Sequence, residues 1–534
     1  MKGANKAMAT VREVTHELLR RLGMTTIFGN PGSTELTFLE DFPEDFRYVL
    51  ALQEASALGM ATGYAQGTGN AALVNLHTAP GLGNAMGALV TAWHNRTPLV
   101  VTAGQQDRRH INLEPLLTGE LVELARPYVK RSYEPRRPQE VPSEILRAYH
   151  TAMQPPRGPV FVSVPMDDWN AECEMPPSHE VSHRVAPDPA AIERAAEVLR
   201  GAHSPAIVVG PGVARSRSFD EVVALAERMK APVWQEGIVA LAGFPQGHPL
   251  FMGFLPLAQK GVSETLAPHD AVLVLGSAVF PYYPYVPGEV VREGTEVVQI
   301  TDDPEEAARA PLGRSIFGDV ALAAAGLAEL LPEADRPALP AREEPPEPEA
   351  AAPMSVDYVM WQIARALPED AVVADESTSS KVVLHRYVKT NDPVGYHTSA
   401  AGGLGFCMPA SVGLKLAMPE RPVVCVIGDG SAMYSIQSLW TAARNGLAIP
   451  TIVINNRGYT ILKSYRNALG ISDSVPGLDV PGIDLVQVAR GLGADGEAVE
   501  RPEDLEGALG RALEAEGPYL VDVAVDTSVP KFAR

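Results

Sequence analysis

Short apolar runs alternate with stretches of helical spacing along the whole chain. Val11, Val14, Leu18, Leu19 and Leu22 recur at intervals of three and four, which predicts an amphipathic helix, and TTIFG (25–29) follows as a strand. The same alternation then repeats. ALVNLH (72–77), PLVVTAG (98–104) and PVFVSVP (159–165) read as buried strands. So do AIVVG (206–210), APVW (231–234), AVLVLG (271–276) and TEVVQIT (295–301). AVVAD (371–375), PVVCVIGDG (422–430), IPTIVINN (449–456) and YLVDVAV (519–525) complete the set. Continuous apolar runs separated by helical patterns are the signature of βαβ units and parallel sheets.

Two stretches break the alternation. Residues 174–189 gather four prolines among polar residues, and 332–353 (PEADRPALPAREEPPEPEAAAP) has no apolar period. The second predicts an extended, solvated tether. The expected architecture is therefore α/β, with three doubly wound parallel-sheet domains at 1–173, 186–331 and 354–534. A length of 534 residues, at roughly 150 per domain, allows three or four.

Charge and cysteine content narrow the partners. With 44 Lys+Arg against 65 Asp+Glu the net charge is −21, which disfavours a phosphate backbone as partner, so no nucleic acid is expected. No apolar run reaches the ~18 residues of a bilayer span, and residues 1–23 lack the apolar core of a secretory signal. Three cysteines make neither a disulfide framework nor a CxxC site. The expectation is a cytoplasmic protein with no membrane partner.

The strongest chemical signal lies in the third block. A strand runs into Gly428-Asp429-Gly430-Ser431, and the next strand ends at Asn455-Asn456, with 24 residues between Gly430 and Asn455. Adjacent strand ends would set a carboxylate beside an amide oxygen. Glycines there let a ligand approach the backbone, and a helix starting near Ser435 would aim its N-terminus at the same point. Hard oxygen ligands of low total charge suit Mg²⁺ shared with a diphosphate.

This spacing resembles the thiamine-diphosphate-binding motif, and the resemblance extends over essentially the whole chain. FGNPGS (28–33), EDFRYVLALQEA (44–55), NLHTAPGLGNAMGAL (75–89), ESTSS (376–380), AAGGLGF (400–406), GDGSAMYSI (428–436) and VPGLDVPGID (475–484) carry it. The chain is similar to the thiamine-diphosphate-dependent 2-keto acid decarboxylases, nearest to the members that act on benzoylformate. The resemblance implies a pyrimidine-binding domain, a central domain without catalytic chemistry and a diphosphate-binding domain. It implies Asp429, Asn456 and the Gly458 carbonyl as ligands of Mg²⁺, for which Ca²⁺ can substitute. Glu54 matches the carboxylate that hydrogen-bonds the cofactor's aminopyrimidine and needs an apolar setting. Ser33 matches the group that holds the substrate carboxylate, although a helix N-cap is an equal reading of its local sequence. His77 matches a proton relay. Leu404 matches the prop under the bent cofactor, with the Gly402 carbonyl receiving the amino group. Pro31, Gly32, Thr378, Ser379, Gly428, Gly430, Ser431, Tyr434 and Tyr459 match further cofactor contacts. Leu116, Leu117, Thr398, Ile461 and Tyr465 match the substrate pocket.

The resemblance departs at one catalytic position. Where the family's second histidine would stand after AVLVLG, this chain has Tyr283, and no histidine lies between His269 and His385. Tyrosine, with a pKa near 10, is a weaker acid at neutral pH. The expected activity is non-oxidative decarboxylation of a 2-keto acid, benzoylformate first, releasing benzaldehyde and CO₂. Two alternatives stand beside it. One is a carboligase or acetolactate-synthase-like enzyme that joins the decarboxylated fragment to a second carbonyl. The other is an inactive cofactor-binding homologue. The resemblance also implies a homo-oligomer, at least a dimer and by family habit a tetramer.

Overall fold

The computed structural model describes residues 9–530 apart from 178, 239, 282, 284 and 341; the predicted outer limits of the first and third domains, at 1 and 534, lie outside the described residues. It contains three six-stranded sheets in which every strand pair is parallel. The first comprises β1 (Thr26–Gly29), β2 (Arg47–Leu50), β3 (Ala72–Leu76), β4 (Leu99–Gln105), β5 (Ser132–Tyr133) and β6 (Pro159–Pro165). Its order is β2-β1-β3-β4-β6-β5. The central sheet comprises β7 (Pro205–Val209), β8 (Val233–Gln235), β9 (Phe251–Phe254), β10 (Ala271–Leu275), β11 (Glu296–Thr301) and β12 (Arg314–Phe317), in the order β12-β11-β10-β7-β8-β9. The third comprises β13 (Val372–Glu376), β14 (Tyr396–His397), β15 (Val423–Gly428), β16 (Pro450–Asn455), β17 (Asp495–Val499) and β18 (Tyr519–Ala524), in the order β14-β13-β15-β16-β18-β17. In each sheet the order reverses between two strands: β1 and β3, β7 and β10, β13 and β15. Open α/β sheets leave a crevice beyond the carboxyl ends at that reversal.

The interior strands are buried along nearly their whole length, as in β3, β4 and β6. Helices cover both faces. Val11–Arg21 forms the predicted first helix, capped by Thr10, whose hydroxyl accepts from the Glu13 N–H while Glu13 returns a bond. The helix expected near Ser435 begins at Ser438, and a single turn, Asp429–Ala432, that was not expected follows β15 directly and precedes it. The glycine pair lets the chain turn into helix at once, so the amides nearest the carboxylate belong to that turn. Within 174–189 the next helix begins at Pro189, capped by Asp188. Between 332 and 353 the described residues form no regular structure, yet the segment is tied down. Arg336 donates to the carbonyls of Met229 and Ala202, Arg342 lies over the Phe251 ring, and Glu344 accepts from Lys389.

One crossing joins the first and third domains. Helix Glu54–Thr68 lies against helix Cys407–Ala417 so closely that a Cβ at Gly63 would meet the Ala410 carbonyl and one at Gly413 the Met60 carbonyl. Only hydrogen fits there, because the obstructing atoms are backbone and cannot rotate away. Gln437 Nε2 to Ser56 Oγ (3.2 Å) and Thr441 Oγ1 to the Leu50 carbonyl (3.0 Å) add bonds between the same domains. Gly413→Ala is expected to cost about 1–3 kcal/mol by overpacking and to lower the melting temperature; an unchanged melting curve in scanning calorimetry would contradict this packing.

Candidate active site

Two clusters carry the residues singled out in the sequence. The first sits where β1 and β3 end. Asn30, Pro31, Gly32 and Ser33 leave β1, and His77 follows β3. Ser33 is exposed, and the helix after it, Leu36–Leu39, has Glu35 at its N-cap with no side-chain cap bond. The N-cap reading of Ser33 is therefore wrong, and its hydroxyl is left for other use.

The organiser of this cluster is Glu35, which sequence reasoning missed. It is buried and accepts from the backbone N–H of Gly32 (2.9 Å) and Gly104 (3.0 Å) and from Thr34 Oγ1 (2.6 Å). Its remaining partner is His77 Nδ1, at 2.8 Å. A buried carboxylate facing Nδ1 holds the proton on that nitrogen, so Nε2 is the atom left to exchange protons with a ligand. Gly32 makes room for this: a Cβ there would strike the imidazole. Thr78, next in the chain, holds φ at +48°, strained for a β-branched residue. In sequence Glu35 looks like an ordinary acid in a helix entry, and no local signal separates it from one.

Glu54 begins its helix beside this cluster, half-buried, and accepts from Asn84 Nδ2 at 3.1 Å. The single chain does not supply the apolar enclosure expected for it. Leu116 is 87% exposed, and Leu117 adopts φ +71° on the same loop.

The second cluster lies at the carboxyl ends of β13, β15 and β16. Asp429 and Asn456 are both buried, and one oxygen of each, Asp429 Oδ2 and Asn456 Oδ1, has no hydrogen-bond partner. An orphaned buried acceptor is costly, and two of them beyond the ends of paired strands β15 and β16 fit a hard cation. Burial raises the Asp429 carboxyl to about 6, against the backbone amides of Gly430, Asn456 and Gly458, which favour the ionised form. Among the described residues no trio of His, Cys, Asp or Glu is placed to hold a metal. A metal here would rest on one carboxylate with neutral oxygens, as Mg²⁺ beside a diphosphate does. Ser379 Oγ accepts from Asn456 Nδ2 at 3.4 Å, and Thr378 beside it is exposed. The Tyr459 ring packs on Gly430 so that a Cβ there would meet it. Gly428 closes β15, Ser431 is buried in the turn that follows, and Tyr434 is exposed beyond it. A cavity of about 470 Å³ opens beside Asp429, walled by Asn455, Asp484 and Asp522.

A second missed carboxylate shapes this cluster. Glu376, ending β13, accepts from the N–H groups of Gly405 (2.6 Å), Phe406 (2.8 Å) and Cys407 (2.8 Å). It pins the turn that carries Gly402, at φ +68°, and half-buried Leu404. Burial lifts its carboxyl to about 7 against those three donors. One pocket assignment is corrected. Thr398 is buried, its hydroxyl donating to the Asp375 carbonyl (2.6 Å) and accepting from Lys381 Nζ (2.9 Å), so it faces structure rather than open space. Ile461 and Tyr465 lie half-buried on helix Thr460–Ala468. Tyr283, 60% exposed, packs its ring 5.4 Å from that of Tyr465, whose hydroxyl is pushed up to about 12 by burial and by Tyr283.

Comparisons with known proteins agree with this geometry. Residues 9–124 match the thiamine pyrophosphate enzyme N-terminal TPP binding domain, 192–337 its central domain and 376–523 its C-terminal TPP binding domain. The chain belongs to the thiamine pyrophosphate enzyme family. It is 43% identical over 529 residues to benzoylformate decarboxylase from Pseudomonas aeruginosa, covering 98% of this chain and 100% of that protein. The solved thiamine diphosphate-dependent 4-hydroxybenzoylformate decarboxylase of Rhodococcus jostii RHA1 matches with a TM-score of 0.94 and 43% identity, over 97% and 100% of the two chains. Benzoylformate decarboxylase from Polynucleobacter necessarius matches with a TM-score of 0.96 and 39% identity, over 98% and 100%. Within its family the chain is a thiamine-diphosphate-dependent carboxy-lyase.

Because the Asp429 carboxyl is raised to about 6, it is protonated below that pH and gives up the charge a cation needs. Mg²⁺-dependent binding of thiamine diphosphate to the apoprotein is expected to weaken as pH falls through about 6. Calorimetric titration checks this, and flat affinity between pH 5 and 7 would contradict the assignment. Glu35→Gln is expected to lower kcat by about 10²-fold or more, in the range for a lost proton-transfer partner, while cofactor affinity stays within error.

Proposed function

We propose that the chain decarboxylates an aromatic 2-keto acid, benzoylformate or a ring-hydroxylated relative, to the aldehyde and CO₂. The observation that carries this reading is the pair of orphaned buried oxygens on Asp429 and Asn456, with a fixed histidine on the other cluster. Thiamine diphosphate, when bound, supplies the electron sink that makes loss of CO₂ feasible. Asp429, Asn456 and the Gly458 carbonyl would hold its Mg²⁺, and Ser431, Ser379, Thr378 and Tyr459 would face the diphosphate. Glu54 would hold the pyrimidine by a hydrogen bond, and Leu404 and Gly402 would support the ring from the turn pinned by Glu376. Ser33 donates to the substrate carboxylate with a neutral hydroxyl. His77 moves a proton through Nε2 at the reacting carbonyl, with Glu35 stabilising whatever charge the ring acquires. Ile461, Tyr465, Leu116 and Leu117 give the substrate ring apolar surface, and the relatives' substrates, named for their aromatic rings, support that choice.

A dimer is part of the proposal. Large apolar side chains stand exposed beside both clusters: Leu36, Leu52 and Leu116 near the first, Met433 and Tyr434 near the second. Bare apolar surface at that density marks a contact face, and a second copy would give Glu54 its apolar enclosure. Four chains, two such dimers, follow the family's habit. Three free, buried cysteines support work in a reducing cytoplasm.

Carboligation is the second reading, and Tyr283 favours it. A phenol protonates the decarboxylated fragment more slowly than an imidazolium would, which leaves time for a second carbonyl to react.

Turnover of benzoylformate with thiamine diphosphate and Mg²⁺, followed as aldehyde and CO₂, tests the main reading. Failure of every 2-keto acid in a panel while the cofactor binds would overturn it. Tyr283→His is expected to raise the ratio of free aldehyde to coupled hydroxyketone when acceptor aldehyde is added. Glu54→Gln is expected to cut kcat by about 10²-fold or more. Sedimentation of a fully active monomer would refute the shared site.

A further inference from the structure

Thr398 is tied to all three domains. Its N–H donates to the Ala240 carbonyl of the central domain at 3.0 Å, and its hydroxyl to the Asp375 carbonyl of the third at 2.6 Å. Its carbonyl accepts from Asn95 Nδ2 of the first domain at 3.0 Å. The same amide reaches two residues further, where Asn95 Oδ1 accepts the Ala400 N–H at 2.8 Å. A carbonyl and an N–H two residues apart are what a neighbouring parallel strand would engage. Here one side chain does so. Asn95 is buried and closes helix Thr78–His94, which begins directly after His77. Thr91, one turn earlier on the same helix face, stands beside the same stretch of chain: a Cβ on Gly403 would lie 3.7 Å from its hydroxyl.

The turn beyond Thr398 is therefore anchored at two ends by two domains. Asn95 holds 398–400, and Glu376 holds the N–H groups of Gly405, Phe406 and Cys407. Residues 401–404 span the gap, with Gly402 and Gly403 exposed and Leu404 half-buried. Without the Asn95 amide, the Thr398 carbonyl and the Ala400 N–H lose their partners, and the chain must move to recover them from water. Glu376 would then fix one end only.

We infer that Asn95 is a positioning residue for this turn: from the first domain it sets where the Gly402 carbonyl and Leu404 stand in the third. What those two groups support rests on the decarboxylase reading; what holds them rests on the hydrogen bonds alone.

The test has two parts. On the apoprotein, hydrogen–deuterium exchange is compared between wild type and Asn95→Ala. The amides of 400–404 are expected to exchange ~10-fold faster or more, the scale of one lost hydrogen bond, while those of 405–407 keep their protection on Glu376. Asn95→Asp keeps an acceptor for the Ala400 N–H and loses the donor to Thr398. Its exchange is expected between the other two, and it serves if Asn95→Ala fails to fold. On the loaded enzyme, the C2 proton of bound thiamine diphosphate is exchanged for deuterium without substrate and followed by NMR. That exchange and kcat for benzoylformate are both expected to fall by ~10-fold or more, the scale of a misplaced supporting group. Affinity for thiamine diphosphate and KM stay near wild type, because Asp429 and Asn456 hold the metal end and Ser33 the substrate carboxylate. A lower melting temperature with unchanged C2 exchange would make Asn95 merely structural and overturn the role, as would unchanged amide exchange at 400–404. The amide exchange needs no cofactor, so it judges the anchor even if the wild type decarboxylates no 2-keto acid, a failure that would strike the proposed function alone.

Discussion

Parallel strand pairing is the constraint on which everything else rests. A parallel sheet sends every strand toward the same edge, so each strand's last residue and the loop after it gather along one rim. Where the strand order reverses, neighbouring loops diverge and leave space. In the first sheet that space receives Ser33 and His77; in the third it receives Asp429 and Ser379, with Asn456 from the adjoining strand. Catalytic groups far apart in sequence meet there because hydrogen-bonded ladders leave the chain few other places to turn.

Two buried carboxylates convert that placement into precision. Glu35 gathers Gly32, Thr34, Gly104 and His77 around one group, tying loops after β1 and β3 to the end of β4. Glu376 does the same for the turn at 405–407. Each satisfies several backbone donors that burial would otherwise orphan. Both act by holding loops that present other groups, a role suited to a carboxylate with enough donors to offset its desolvation.

The legible part of the fold follows from how parallel sheets meet water. The twelve strands read from apolar runs are the interior ones. The six that escaped are the outer strands of the three sheets: β2, β5, β9, β12, β14 and β17. Arg314–Phe317 keeps one residue of four buried, and Ser132–Tyr133 and Tyr396–His397 are two residues long. Five of these outer strands are partly solvated, so their sequences carry no continuous apolar run, and the sixth, Tyr396–His397, is buried but too short to show one. The site divides similarly. Asp429 and Asn456 stand at strand ends within a recognisable spacing, and the fold places them as that spacing implies. Glu35 and Glu376 acquire their partners only when separate strands come together, which no local pattern records. Thr398 was misplaced for the same reason, since Asp375 and Lys381 claim its hydroxyl from elsewhere in the domain.

The tether at 332–353 shows a different economy. Arg336 grips backbone carbonyls, which every residue type presents, and Arg342 and Glu344 add a ring contact and an ion pair. Anchors of that kind leave most of the intervening prolines, alanines and glutamates free to drift over evolutionary time. Homologues could exchange long portions of this segment and still hold their central and third domains in the same relation.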